Sequence, residues 1–184
     1  VVWLEPNNDP KRKLNYSWKL AEVGGARVVV DTAIANKVVG EALRAGQVAG
    51  LAEYSDIRAE VKYGEGSRID FLLKGNGLRD CYVEVKSVTL SRETGLAEFP
   101  GSVTARGTKH LRELTAMVAG GHRAMMLYLV QRDDCDRFAL ASDIDPAYAK
   151  AATIALEAGV EMLCFATKPT TVGVYFMEKL PIYV

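Results

Sequence analysis

The sequence predicts an α/β fold, a mixed β-sheet flanked by helices. Three observations predict it. Apolar spacing switches repeatedly between a period of two and a period of 3.6 along the chain. From residue 36 onward the elements read α, three β, α, β, α, β, β. The run Ala124–Val130 is apolar throughout, as a strand covered on both faces requires.

Residues 1 to 30 read as β. Val1–Leu4 is apolar, and Glu5–Pro10 is dense in turn formers. Leu14 to Leu20 alternates apolar and polar, which places Leu14, Tyr16, Trp18 and Leu20 on one face; this favours core packing over the alternative, a single-strand-binding surface of Tyr16 and Trp18 beside Lys11-Arg12-Lys13. Gly24-Gly25 turns the chain into a strand at Arg27–Val30. A helix follows from Asn36, its N-cap, with Val38, Val39, Ala42 and Leu43 on one face and Gly46 as its stop. The same phase leaves Glu41 as a solvated surface acid.

Three strands come next, Ile57–Tyr63, Arg68–Leu73 and Cys81–Val88, the last two joined by a hairpin at Lys74–Gly77. Residues around Glu98-Phe99-Pro100-Gly101 read as a loop. Thr104 to Val118 is a helix with Leu111, Leu114, Thr115 and Val118 turned inward, stopped by Gly120-Gly121. Arg123–Val130 is the core strand. Asp145-Pro146 opens a third helix, because Asp caps well and Pro suits the first helical position. Val160–Ala166 and Val172–Met177 close the sheet.

Composition sets limits on function. The chain has 184 residues, enough for one domain, or one domain plus a fragment. It opens inside a strand and without Met, which suggests a fragment. Apolar residues at 49% and charged residues at 25% exclude disordered and low-complexity classes. Lys+Arg 23 balances Asp+Glu 23, so a nucleic-acid partner has to be held by a local basic patch. Cys81, Cys135 and Cys164 lie far apart with no CxxC pair, so neither a disulfide framework nor a zinc site follows. No apolar stretch is long enough to span a membrane and no leader opens the chain, so a cytoplasmic protein without a membrane partner is the expectation.

The chemistry lies in Arg68-Ile69-Asp70, the hairpin, and Glu84-Val85-Lys86. Strand alternation puts Ile69, Phe71 and Leu73 on one face and Asp70 on the other. It puts Tyr82, Glu84 and Lys86 together, opposite Cys81, Val83 and Val85. Asp70, Glu84 and Lys86 then share a surface. Two adjacent carboxylates repel, and a hard divalent cation relieves the repulsion. Oxygen ligands of this kind suit Mg2+ or Mn2+. Such an ion binds a phosphate oxygen and acidifies a water, while Lys86 positions that water or stabilises the transition state. Taken alone, Glu-x-Lys on a strand usually means solvent-facing residues that pair across strands.

The constellation resembles the PD-(D/E)XK nuclease signature, with Ile69 in place of the signature Pro. Nearly the whole chain resembles the sugar fermentation stimulation protein A (SfsA) family. The matching stretches are Pro10–Leu14, Ser67–Leu73, Tyr82–Leu90, Phe99-Pro100, Val103-Thr104, Arg106-Gly107, Lys109–Leu111 and Ile144–Tyr148. The resemblance implies a DNA-binding protein, with residues 1–30 as the last part of an OB-like β domain. Residues 31–184 would then be a PD-(D/E)XK nuclease-like domain. It makes Asp70 and Glu84 metal ligands and Lys86 the catalytic lysine. The family pattern after Phe-Pro reads Asp, and this chain has Gly101, with Glu98 as the nearby acid.

Nucleic-acid contacts are expected at Lys11, Arg12, Lys13, Arg68, Arg106, Lys109 and His110. Arg106, Lys109, His110 and Arg112 crowd a helix start, which reads either as a phosphate-binding end or as a solvated face. His110 is a phosphate or structural contact, or alternatively a general base. Three readings therefore stand: a metal-dependent nuclease acting on DNA, a non-catalytic DNA-binding regulator linked to sugar metabolism on a nuclease scaffold, and an interaction or assembly domain that never meets nucleic acid. A homo-oligomer is compatible with each.

Overall fold

The computed structural model describes every residue but Pro10, Arg12, Glu65 and Val184. The chain opens with β1 (Val2–Pro6), β2 (Tyr16–Val23) and β3 (Ala26–Val29), which form an antiparallel three-stranded sheet of their own. This sheet is tied to the rest through the Val29 N–H, which donates to the Gln131 carbonyl at 2.9 Å. Helix α1 (Ala33–Arg44) follows, then β4 (Asp56–Tyr63), β5 (Ser67–Lys74) and β6 (Cys81–Val88). Two short strands, β7 (Leu90–Glu93) and β8 (Gly95–Phe99), lead to α2 (Ala105–Ala119) and β9 (Arg123–Val130). The chain ends in β10 (Cys135–Leu140), α3 (Pro146–Glu157), β11 (Glu161–Pro169), β12 (Val174–Lys179) and β13 (Ile182–Tyr183).

Strands pair in the order β12-β11-β9-β6-β5-β4 in the main sheet. Its centre, β11-β9-β6, is parallel, and both flanks are antiparallel. A second sheet, β13-β10-β8-β7, lies beside it. Helix α1 buries Val38, Val39, Ala42 and Leu43 against Phe71, Leu73, Val83 and Leu127 on one face of the main sheet. Helices α2 and α3 cover the other face, where Leu111, Leu114 and Tyr148 pack on Leu72, Met126 and Tyr128. The Tyr128 and Tyr148 hydroxyls meet at 2.8 Å, so the two largest fully buried side chains satisfy each other's polar atoms.

Four expectations are corrected. Helix α1 begins three residues before Asn36, with Thr32 at the N-cap position and the Asp31 carboxylate, one residue earlier, accepting the Ala33 N–H at 3.1 Å. The loop expected around Glu98 is the strand pair β7–β8, held as much by β10 and the Arg92–Glu98 contact as by local pattern. Leu14, Tyr16 and Trp18 are exposed, the two aromatics at 57% and 52%, because no described element covers that face of the small sheet. Ile69 does not share a face with Phe71 and Leu73. It packs with Leu72 in the core under α2 and α3, while Phe71 and Leu73 pack under α1.

The cause of the last correction is a break in the pairing of β5 at Asp70, with the β4–β5 register unchanged on either side. Neither β4 nor β6 pairs with residue 70, and the opposing Glu60 takes φ +55°. An ideal ladder would continue from Phe71↔Val83 to Ile69↔Val85. Instead the Val85 N–H donates to Asp70 Oδ2 at 2.7 Å. A side chain thus takes the place of a backbone rung, and alternation resets by one residue.

Candidate functional site

The site forms where β5 leaves β6. On β6, Glu84 and Lys86 project with Tyr82 toward α2, as alternation predicts, and Cys81, Val83 and Val85 face α1. Pairing of β6 to β9 along its whole length, from Cys81↔Arg123 to Val88↔Val130, fixes Glu84 and Lys86 at the centre of the sheet.

Asp70 lies in the gap between β5 and β6. Its Oδ2 takes the Val85 N–H, and its Oδ1 accepts from the Asn36 side-chain amide of α1 at 2.6 Å. Burial, followed by the negative charge of Glu84, pushes the Asp70 carboxyl up to about 6, against the lowering effect of those two donors and of Lys86.

Glu84 is 3% exposed. Its Oε1 receives Lys86 Nζ at 2.8 Å and pairs with His110 Nδ1. Its Oε2 is buried and has no hydrogen-bond partner among the described residues. Burial opposes ionisation of Glu84, but the His110 and Lys86 contacts outweigh it and leave its carboxyl below the ordinary range.

His110 reaches the site from α2. That helix starts at Thr104, whose Oγ1 accepts the Gly107 N–H at 3.0 Å. The Thr104 N–H in turn donates to Asp145 Oδ2 at 2.7 Å, and Asp145 Oδ1 caps α3 through the Tyr148 N–H at 2.9 Å. One buried acid therefore anchors the starts of two helices. A Cβ at Gly107 would lie 2.9 Å from Tyr148 Cε2, so only glycine lets α2 seat this close to α3.

Asp70, Glu84, Lys86 and His110 are thus brought together, with Arg106 on the solvent side of His110. Lys109 is exposed on the same helix, 3.6 Å from Glu113. Arg68 is exposed on β5, opposite Lys62. Lys11 and Lys13 are exposed in the β1–β2 connection, outside this cluster, and Arg12 lies outside the described residues. Glu98 is fully engaged: Arg92 grips it at 3.0 Å and 2.5 Å and also holds Asp143. Gly101 is exposed, and a Cβ there would meet nothing within 4 Å.

The sequence reading missed Asn36 as a site residue, as well as a buried polar group beside the site in which Ser67 Oγ donates to Glu113 Oε1 at 2.8 Å. A signal for Asn36 was available, since Val39, Gly40 and Leu43 stand three, four and seven residues after it and all are buried. A polar residue on such a stripe needs a buried partner.

Among the described residues, no group of three or more His, Cys, Asp or Glu side chains is arranged to hold a metal. The cluster offers two carboxylates, one with an unpartnered oxygen. Mg2+ is commonly bound through one or two carboxylates with the remaining positions filled by water and substrate, so the donor set fits a hard divalent cation.

Fold and site together define an α/β protein with a buried acid–lysine–histidine centre in the middle of a mixed sheet. The family model described as "Sugar fermentation stimulation protein RE domain" matches residues 33–173, and the chain belongs to the SfsA family. The sugar fermentation stimulation protein homolog of Ruegeria sp. (strain TM1040) is 61% identical over 181 residues, covering 98% of this chain and 78% of its own. The homolog of Roseobacter denitrificans is 57% identical over 182 residues, covering 98% of this chain and 77% of its own. The solved structure of Pyrococcus furiosus SfsA in complex with Ca2+ superposes with a TM-score of 0.90 at 26% identity, over all of this chain and 78% of that one. No described helix is long and apolar enough to cross a membrane.

Proposed function

We propose that this protein binds DNA and hydrolyses its phosphodiester bonds at the Asp70–Glu84–Lys86 cluster with Mg2+ or Mn2+ bound. The observation that carries the reading is the buried Glu84 carboxylate, with Oε1 engaged twice and Oε2 left without a partner. An unpaired buried carboxylate oxygen is costly, and a hard cation would satisfy it. The Ca2+ in the Pyrococcus furiosus complex supports a divalent ion on this fold.

Asp70 and Glu84 would hold the ion, which supplies neutralising charge at a phosphate oxygen and a more acidic water. Lys86 contributes a fixed positive charge in contact with Glu84, where it orients the attacking water or meets charge developing on the phosphate oxygens. Arg106, Lys109 and Arg68 supply exposed positive charge for backbone phosphates, and Lys11, Arg12 and Lys13 extend that surface. Net charge is zero, so affinity rests on this local patch.

A second reading, a DNA-binding regulator linked to sugar metabolism without catalysis, is favoured by the absence of a third metal-binding side chain among the described residues and by Gly101. One experiment separates the two. Labelled single-stranded, duplex and branched DNA are incubated with Mg2+, Mn2+ or EDTA, beside a Glu84→Gln variant. Cleavage that disappears in EDTA and in the variant supports the hydrolase. Salt-sensitive binding without product supports the regulator.

A further inference from the structure

We propose that His110 is a positioning residue for this centre: it fixes the Glu84 carboxylate so that Oε2 is held free for a cation. The proposal rests on the metal-site reading above and adds a residue to it.

His110 is 4% exposed and has a charged neighbour at each ring nitrogen. Arg106 Nε donates to His110 Nε2 at 3.4 Å. An accepting Nε2 puts the ring proton on Nδ1, the atom that pairs with Glu84 Oε1. Lys86 Nζ lies 3.2 Å from the same Nδ1 and 2.8 Å from the same Oε1. Two donors therefore converge on one carboxylate oxygen, which accounts for their closeness to each other.

The consequence is geometric. A carboxylate's terminal torsion is soft, but two donors on Oε1 fix it and determine where Oε2 sits. That oxygen is buried and has no hydrogen-bond partner among the described residues. The arrangement preorganises one ligand oxygen. The imidazole is itself held in place: α2 is pinned at Thr104 by Asp145, and Gly107 lets the helix seat against Tyr148. Partners of this kind orient metal ligands without touching the metal, and losing one typically weakens metal binding roughly 10–100-fold.

The test uses the full chain and Mn2+ as the probe, with free Mn2+ read by electron paramagnetic resonance. Four proteins are compared: wild type, Glu84→Gln, His110→Leu and His110→Asn. Circular dichroism melts check that each is folded. The wild type should bind Mn2+ and Glu84→Gln should lose it. His110→Leu should bind roughly 10–100-fold more weakly. His110→Asn carries an amide N–H where Nδ1 stood, and should stay within about threefold of wild type if orientation is the role. In the metal-free protein, above the ordinary histidine titration range, nitrogen-detected NMR should show the Nδ1-protonated tautomer.

A folded His110→Leu protein with wild-type Mn2+ affinity overturns the proposal and leaves the metal site standing. A wild type that binds no Mn2+ overturns both. Where the leucine variant does not fold, the remaining arms decide. An Nε2-protonated ring, or a folded His110→Asn protein as weak as Glu84→Gln, overturns the proposal.

Discussion

Replacing Lys86 by Met should destabilise the chain through Glu84 rather than through lost packing. Met keeps most of the lysine stem but removes the ammonium that sits 2.8 Å from Glu84 Oε1. Glu84 would then be a buried carboxylate with His110 as its one remaining donor and Asp70 beside it. Removing one partner of a buried pair costs about 3–5 kcal/mol. The Lys86 side chain is 14% exposed, so water reaches part of the vacated space and His110 still holds Oε1; a loss of about 2–3 kcal/mol is expected. For a chain of this size that is a fall in Tm of about 5–10 °C. Adding Glu84→Gln to Lys86→Met removes the stranded charge and should recover most of the loss. Urea denaturation of the wild type, both single variants and the double variant gives the coupling directly. The gap between wild type and Lys86→Met should close as pH falls below the ordinary carboxylate range, since a protonated Glu84 needs no cation. Additive single-variant effects within about 0.5 kcal/mol, or a Lys86→Met protein as stable as wild type, would refute the reasoning.

Asp145→Ala removes the acceptor for both the Thr104 and the Tyr148 N–H groups, and should cost about 2–4 kcal/mol in denaturant unfolding. Equal stability would show that the two helix starts are satisfied otherwise. Arg92 holds Glu98 below its ordinary carboxyl range and Asp143 down to about 2, so its contribution is present above the ordinary carboxylate range and fades as pH falls through those lowered values. Thermal melts of Arg92→Leu should therefore differ from wild type most at neutral pH and converge with it toward pH 2; a constant gap across pH would count against this. On the proposed DNA-binding reading, Arg106→Gln should weaken binding on all sequences alike and lower the salt slope by about 1. Titrations across salt concentrations measure that slope, and an unchanged one would remove Arg106 from the interface.

Much of the architecture is legible in the sequence because local and global signals agree there. The alternation in Cys81–Val88 placed Glu84 and Lys86 on one face, the apolar run after Arg123 marked the central strand, and Asp145-Pro146 marked the start of α3. Elements set by partners distant in sequence were not legible. β7, β8 and β10 are short, and their identity depends on pairing with one another. The break in pairing at Asp70 interrupts the period-two rule, because a carboxylate replaces a backbone rung. Asn36 resembled a cap because caps and buried amide donors draw on the same residue types. Leu14, Tyr16 and Trp18 have a core-like pattern, but alternation reports a face and says nothing of whether anything covers it.

The parallel pairing of β6 with β9 has a consequence for how this centre can change over time. Parallel neighbours cannot be joined by a tight turn, so the chain must cross over the sheet between them, and here α2 lies on that crossing. The crossing puts α2 over the face on which Glu84 and Lys86 stand, so topology supplies the neighbour before any side chain is chosen. The strand residues and the helix residue that meets them can then vary separately. A substitution at position 110 retunes the environment of Glu84 without disturbing a single rung of β6, giving descendants of this chain a way to change the surroundings of that carboxylate while keeping the sheet intact.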